Sequence, residues 1–315
     1  MFQIKQPKKI IFGKYSAQKF NFPKNSLLIT SKGATKRNWQ KYLDLKNYYI
    51  YDQVENNPSI NTVEKIIKTY SNSNISTIIG LGGGSCLDVA KYTAFKMNKK
   101  KILIPTTFGS GSEVTRISVL KIEGKKRSFH NDLLFADVAI IDSSFIENTP
   151  KRIKNNSFID ALAQCSEAYD SKIGNYYTKS LCEQAFNFLE SGIFNNDNEK
   201  IVLGSLLSGL GFGNCSTTLG HALSYVYSNE GISHGHALAF TTTVSHKFNN
   251  SKFYLRFLNI VKKLNFESIK LKLNFDNAAE LILSDKKHID NNPKRIKHKD
   301  IVLLLSKINS NDALN

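Results

Sequence analysis

Thr77-Ile-Ile-Gly-Leu-Gly-Gly-Gly-Ser-Cys-Leu-Asp-Val-Ala-Lys91 decides how the first half of this chain folds. Thr77 to Leu81 is an apolar run of strand length, and Cys86 to Met97 reads as a helix, so a glycine-rich turn stands between a strand and a helix. Gly82, Gly83 and Gly84 carry no side chain, which lets the backbone come close to an anion. The helix that follows offers its first amides and the positive end of its dipole. In this context the turn reads as a phosphate cradle, with Ser85 and Asp88 on the opening turn of the helix. A plain tight turn is the bland alternative.

A second loop of the same kind follows. Ile102 to Pro105 is a strand, and Pro105-Thr-Thr-Phe-Gly-Ser-Gly-Ser-Glu113 continues it with glycines and the hydroxyls of Thr106, Thr107, Ser110 and Ser112. Two such loops at the carboxyl edge of one sheet describe a dinucleotide crevice. Upstream, Lys9 to Gly13, Ser26 to Thr30 and Asn47 to Tyr51 are strand-like, and Val63 to Tyr70 is an amphipathic helix. Strands alternating with helices predict a Rossmann-like parallel sheet over residues 1–149.

Beyond Thr149-Pro150 the pattern changes to helices: Phe158 to Asp170, Tyr177 to Phe194, Glu199 to Leu210, Leu219 to Tyr227, His236 to Phe248 and further segments from Phe253. The predicted class is therefore α/β followed by all-α, with a helical domain over residues 150–315, as a chain of 315 residues suggests. The charged stretch from Lys286 to Lys299 is expected at the surface.

The formal charge is +17, mostly from lysine, in a chain that is 41% hydrophobic and 22% charged. The lysines are scattered and no arginine–aromatic stripe accompanies them. This argues against nucleic acid as partner and for a surface that attracts small anions. Four cysteines, Cys86, Cys165, Cys182 and Cys215, have no paired spacing and read as buried thiols in a reducing compartment. Met1 to Lys9 lacks an apolar core after its charges, and no run approaches the ~20 apolar residues that span a bilayer. The expectation is a cytoplasmic protein that does not engage membranes.

The chemistry is expected in Ser157-Phe-Ile-Asp-Ala-Leu-Ala-Gln-Cys-Ser-Glu-Ala-Tyr169. On a helix, Asp160, Gln164 and Glu167 fall on one stripe of an otherwise apolar segment. Burying them costs several kcal/mol unless compensated, and a divalent cation would compensate; a capping acid with ordinary polar core contacts is the competing account. Downstream, Gly220 to His236 supplies His221, His234 and His236, three of the seven histidines.

Taken together, the Gly-Gly-Gly-Ser segment, the Pro-Thr-Thr-x-Gly-Ser-Gly-Ser-Glu segment, Asp160-Ala-Leu, His221 and His234-Gly235 resemble the iron-containing (group III) alcohol dehydrogenase family, in register from about residue 8 to Pro293. The resemblance implies a dehydroquinate-synthase-like fold, with a nucleotide-binding domain, a helical domain and a metal in the cleft between them. Within the family, Asp160 to Tyr169, Thr217 to Tyr225 and Gly231 to Ala237 resemble phosphonoacetaldehyde reductases, also called 2-hydroxyethylphosphonate dehydrogenases.

Carried over by position, Asp160, His221 and His234 are the implied ligands of Fe(II) or Zn(II). The family usually has a histidine where this chain has Gln164, so that position either ligates weakly through its amide oxygen or yields to water. Reversible hydride transfer to a small anionic aldehyde is implied, with Asp160 and His234 at the reacting centre and His236 as proton relay. Many family members carry an aspartate after the second strand that repels a 2′-phosphate. This chain has Ser31 and Lys32 there, which favours NADP(H) over NAD(H). Arg116, Lys126, Arg127 and His130 are the candidate partners of a phosphonate. The family also implies a homodimer. Three alternatives stay open: a sibling dehydrogenase for another small alcohol, aldehyde or polyol phosphate; a lyase of the dehydroquinate-synthase type; and a non-catalytic relic that binds anions or nucleic acid.

Overall fold

Eight strands and four helices make up residues 3–149. They are β1 (Lys9–Phe12), β2 (Ser26–Ile29), α1 (Lys32–Lys36), α2 (Trp39–Tyr42), β3 (Tyr48–Tyr51), α3 (Ile60–Tyr70), β4 (Thr77–Gly82), α4 (Gly84–Lys96), β5 (Lys100–Pro105), β6 (Ile117–Ile122), β7 (Lys125–His130) and β8 (Val138–Ile141). Six of the strands form one parallel sheet in the order β1-β8-β5-β4-β2-β3. The structure is a computed structural model describing residues 1–310 and 312–314. It divides into two compact units, Gln3–Thr149 and Pro150–Asn315 with Met1–Phe2.

The inner strands are buried on both faces, as a helix-covered parallel sheet requires, so β2 and β4 are buried at every residue. The sequence shows this as unbroken apolar runs. Edge strand β3 instead leaves Tyr48, Tyr49 and Ile50 exposed. From β2 the chain first moves outward to β3 and then returns past β2 to β4, so the winding direction reverses between β2 and β4. Open α/β sheets bind ligands at the carboxyl ends of strands beside such a reversal. There Thr30 Oγ1 donates to the Leu81 carbonyl at 2.7 Å, and the Thr106 amide donates to the Gly82 carbonyl at 3.0 Å. The ends of β2, β4 and β5 are thereby fixed to one another.

Residues 115–149, where the sequence pattern predicts no element, hold a hairpin and a sheet strand. In the β6–β7 hairpin, Glu123 (φ 50°) and Gly124 (φ 77°) turn the chain through the left-handed region. Glu-Gly is a weaker turn signal than Asn-Gly, although Gly124 could have marked it.

Among the described residues of the second unit there are nine α-helices: α5 (Lys151–Asp170), α6 (Tyr176–Asn195), α7 (Asn198–Phe212), α8 (Leu219–Asn229), α9 (His234–Asn249), α10 (Tyr254–Leu264), α11 (Phe275–Ser284), α12 (Lys286–Asn291) and α13 (His298–Asn309). Helix α5 starts two turns earlier than expected. Pro150, at φ −56°, leads directly into it, and Asn155 and Asn156 stay helical because their amides donate to the Leu264 carbonyl at the end of α10 and to Ser233 Oγ just before α9. In residues 286–299 the charged side chains Lys286, Lys287, Arg295, Lys297 and Lys299 are exposed as expected, but the stretch is anchored between them: His288, Ile289, Asn291 and Asn292 are buried, and the Asn291 amide donates to the Cys215 and Thr217 carbonyls. All four cysteines are buried and unpaired. Among the described residues no helix is long and apolar enough to cross a membrane.

Candidate active site

Three helices of the second unit converge on one point. Asp160 comes from the middle of α5, His221 from the first turn of α8 and His234 from the first residue of α9. One ligand atom from each lies within 4.8 Å of the others. Both imidazoles turn Nε2 toward the same oxygen, Asp160 Oδ1, at 3.8 Å each. That is too long for a hydrogen bond. It suits atoms sharing a central cation, since a tetrahedral ion with bonds of about 2.1 Å holds its donors roughly 3.4 Å apart.

The opposite ring nitrogens explain why the imidazoles face this way. His221 Nδ1 sits 3.0 Å from Glu167 Oε2, and His234 Nδ1 sits 3.3 Å from Ser224 Oγ, which itself donates to the His221 carbonyl. Each contact commits Nδ1 to carry the proton and leaves the Nε2 lone pair for a cation. Burial alone would lower the His221 pKa, but the Glu167 and Asp160 carboxylates outweigh it and hold it at about 9. A cation at this point would displace that proton.

Gln164 takes its expected place one turn beyond Asp160 but presents its other face: Nε2 donates to Asp160 Oδ1 at 2.9 Å. Its carbonyl oxygen is buried and has no hydrogen-bond partner. As arranged here, Gln164 orients the carboxylate, which corrects its reading as a ligand arm. The acid and the two committed imidazoles form a donor set that fits a divalent metal.

The relay expected at His236 is also corrected. Two positions along a helix separate side chains by about 200°, so His236 faces away from His234. Its Nε2 meets the Glu267 carbonyl at 2.6 Å, and its ring packs 5.3 Å from Phe266 in a separate hollow of about 750 Å³ lined also by Lys151, Arg152 and Ser233. Tyr225 and His288, which sequence reading did not assign, stand at the cluster instead. The Tyr225 ring stacks on His234 at 6.0 Å, while His288 stacks on His221 at 6.4 Å with its Nδ1 2.7 Å from Asp285. Tyr225 could have been found from its i+4 spacing to His221. Nothing local marks His288.

In the first unit the glycine turn is where the sequence put it. Gly83 caps α4, and a side-chain carbon on Gly84 would lie 2.9 Å from Ser110 Oγ, so the two loops touch and neither admits bulk. Gly82 has φ +150°, which favours glycine. Gly83, Gly84, Ser85, Thr107 and Ser110 reach solvent beside the α4 amides. Thr106 is buried. Ser31 caps α1 by accepting from the Ala34 amide, with Lys32 exposed next to it at the end of β2.

Asp88 and Ser112 are corrected from anion contacts to braces. Ser112 Oγ donates to Asp88 Oδ1 at 2.6 Å, and Asp88 Oδ2 accepts from the Val119 amide. Fully buried Lys91 lies 3.4 Å from Asp88 and donates to the Ser112, Thr115 and Ile117 carbonyls. Burial pushes the Asp88 carboxyl up and the Lys91 ammonium down, each against the attraction of the other.

The four proposed substrate contacts do not converge. Arg116 Nη1 pairs with Asp132 Oδ1 at 2.9 Å. On β7, Lys126 and His130 share one face while Arg127 points to the other, because strand side chains alternate.

Profiles of two parts of one family match this chain: iron-containing alcohol dehydrogenase over residues 7–143, and the Fe-containing alcohol dehydrogenase C-terminal region over residues 155–274. The chain is 33% identical to a 4-hydroxybutyrate dehydrogenase of Clostridium kluyveri over 57% of its own length and 56% of that protein's. It thus spans little more than half of that relative. A sulfoacetaldehyde reductase of Bilophila wadsworthia is 28% identical over 71% of this chain and 67% of its own. In fold, an iron-containing alcohol dehydrogenase of Thermotoga maritima superposes with a TM-score of 0.87 at 24% identity, covering 98% of this chain and 100% of that one.

Proposed function

Because the chain belongs to the iron-containing alcohol dehydrogenase family, we propose that it reduces a short anionic aldehyde, phosphonoacetaldehyde, to 2-hydroxyethylphosphonate with NADPH or NADH and a divalent metal, Fe(II) or Zn(II). The observation that carries the reading is the convergence of Asp160, His221 and His234 within 4.8 Å from three different helices. A metal held there would supply Lewis acidity to an aldehyde oxygen, and a reduced nicotinamide would supply the hydride. The chain's own part is to keep both Nε2 lone pairs and one carboxylate oxygen aimed at one point, with Gln164 fixing that carboxylate. The paired loops of the first unit, with Gly83, Gly84 and Ser110, are suited to a pyrophosphate at the start of α4.

Support for an anionic aldehyde comes from the motifs around Asp160, His221 and His234 and from the sulfoacetaldehyde reductase among the relatives. A second reading, a sibling for another small alcohol, is favoured by the pairing of Arg116 with Asp132, which occupies the best candidate for a phosphonate fork. A non-catalytic relic is disfavoured, since the three ligands keep their geometry although Gln164 replaces an imidazole. Reduced-nicotinamide absorbance with phosphonoacetaldehyde, against sulfoacetaldehyde and, in the oxidising direction, 4-hydroxybutyrate, tests the reading. A kcat/KM for phosphonoacetaldehyde no higher than for the others would assign the chain to a sibling activity. The reading includes a homodimer, which light scattering of the purified protein checks.

A further inference from the structure

Glu167 is almost fully buried, two helical turns beyond Asp160 on the same stripe of α5. Its carboxylate is saturated. Oε2 accepts from the Thr218 amide at 2.7 Å, from His221 Nδ1 at 3.0 Å and from the His221 amide at 3.4 Å, while Oε1 accepts from Thr242 Oγ1 at 3.4 Å. The start of α8 is cut to fit it, since a side-chain carbon on Gly220 would lie 1.9 Å from Oε1. At the other histidine of the cluster, His234 Nδ1 lies 3.3 Å from the neutral hydroxyl of Ser224. The two imidazoles are therefore supported unequally.

We propose that Glu167 is a positioning residue of the metal centre: it locks His221 in the Nδ1–H tautomer, strengthens Nε2 as a donor and adds the second negative charge that balances a divalent cation. Ligand-backing carboxylates act in this way because an imidazole whose N–H is given to an anion is more basic and cannot rotate away. The other tautomer would put a proton on Nε2, between the nitrogen and the cation. With Gln164 neutral, Asp160 and Glu167 are the two carboxylates that match a charge of two. This inference rests on the metal-centre reading above.

The test is calorimetric titration of Zn(II) into chelator-stripped protein, comparing wild type, Glu167→Gln and Ser224→Ala. Wild type should bind one ion. Glu167→Gln should bind it roughly 10- to 100-fold more weakly, as losses of such partners do, with an unchanged far-ultraviolet spectrum and unchanged nicotinamide affinity. Ser224→Ala should lose less than Glu167→Gln. A wild type that takes up no zinc overturns the metal reading itself. Tight binding by wild type together with Glu167→Gln within twofold of it overturns only the role of Glu167. If the variant does not fold, nitrogen-15 spectra of histidine in zinc-loaded wild type decide the matter. His221 should carry its proton on Nδ1, and a proton on Nε2 would overturn the proposal.

Discussion

Gly235 lies so close to the main chain of Asn156 that a side-chain carbon on it would sit 2.0 Å from the Asn156 carbonyl oxygen. This contact sets how near α9 comes to α5, and so how near His234 comes to Asp160. Backbone cannot give way as a flexible side chain can. Gly235→Ala should therefore push the helices apart, at a cost of roughly 1–3 kcal/mol for overpacking, and lower the metal retained after dialysis. Thermal denaturation and metal-to-protein ratios check this. Wild-type values in both would show that the crossing is looser than described.

Removing a ligand should separate chemistry from folding. Asp160 and His234 are only partly buried, with side-chain exposures of 15% and 30%, so Asp160→Ala and His234→Ala leave no large void. Both should keep the helical circular-dichroism spectrum, lose stoichiometric metal and lose turnover. Full activity in either variant would end the metal assignment.

The parts of this arrangement legible in the sequence are those whose signal is local. The glycine turn between β4 and α4, the buried runs of the inner strands and the helical texture after Pro150 each follow from propensity and periodicity within about a dozen residues. Asp160 and Gln164 were legible as a stripe. What the stripe could not show was which end of the Gln164 amide faces Asp160, because that depends on partners from other helices. His236 was misread for a related reason. The spacing of the Ser233-His-Gly-His segment does not reveal where α9 begins, and starting the helix at His234 turns the second histidine away. His288, Tyr225 and the brace made by Asp88, Lys91 and Ser112 arise from contacts between distant segments, which a one-dimensional pattern does not carry.

The exposed Lys32 at the end of β2 bears on cofactor choice. A lysine beside the adenosine ribose would attract a 2′-phosphate, and an aspartate there would repel it and accept from the ribose hydroxyls instead. Lys32→Asp should lower the ratio of kcat/KM for NADPH over NADH by roughly tenfold or more, about 1.4 kcal/mol per factor of ten. Steady-state rates with both cofactors measure it. An unchanged ratio would place the ribose away from Lys32.

Glu113, at the end of the second loop, offers a pH signature. Burial lifts its carboxyl from an ordinary 4.5 to about 7. In the unfolded chain it ionises above about pH 4.5, while in the folded protein it keeps its proton to about pH 7. The folded state therefore binds more protons across that window, and its stability falls as pH rises through it. The loss is complete above about pH 7 and amounts to roughly 3 kcal/mol, taking 1.36 kcal/mol per pH unit. Glu113→Gln cannot ionise and escapes the penalty. Its melting temperature should match wild type near pH 4.5 and exceed it by several degrees at pH 8, and because the comparison is with wild type at each pH, the other titrating groups cancel. Equal melting temperatures at pH 8 would show that Glu113 is ionised in the folded protein and held by charges such as Lys91.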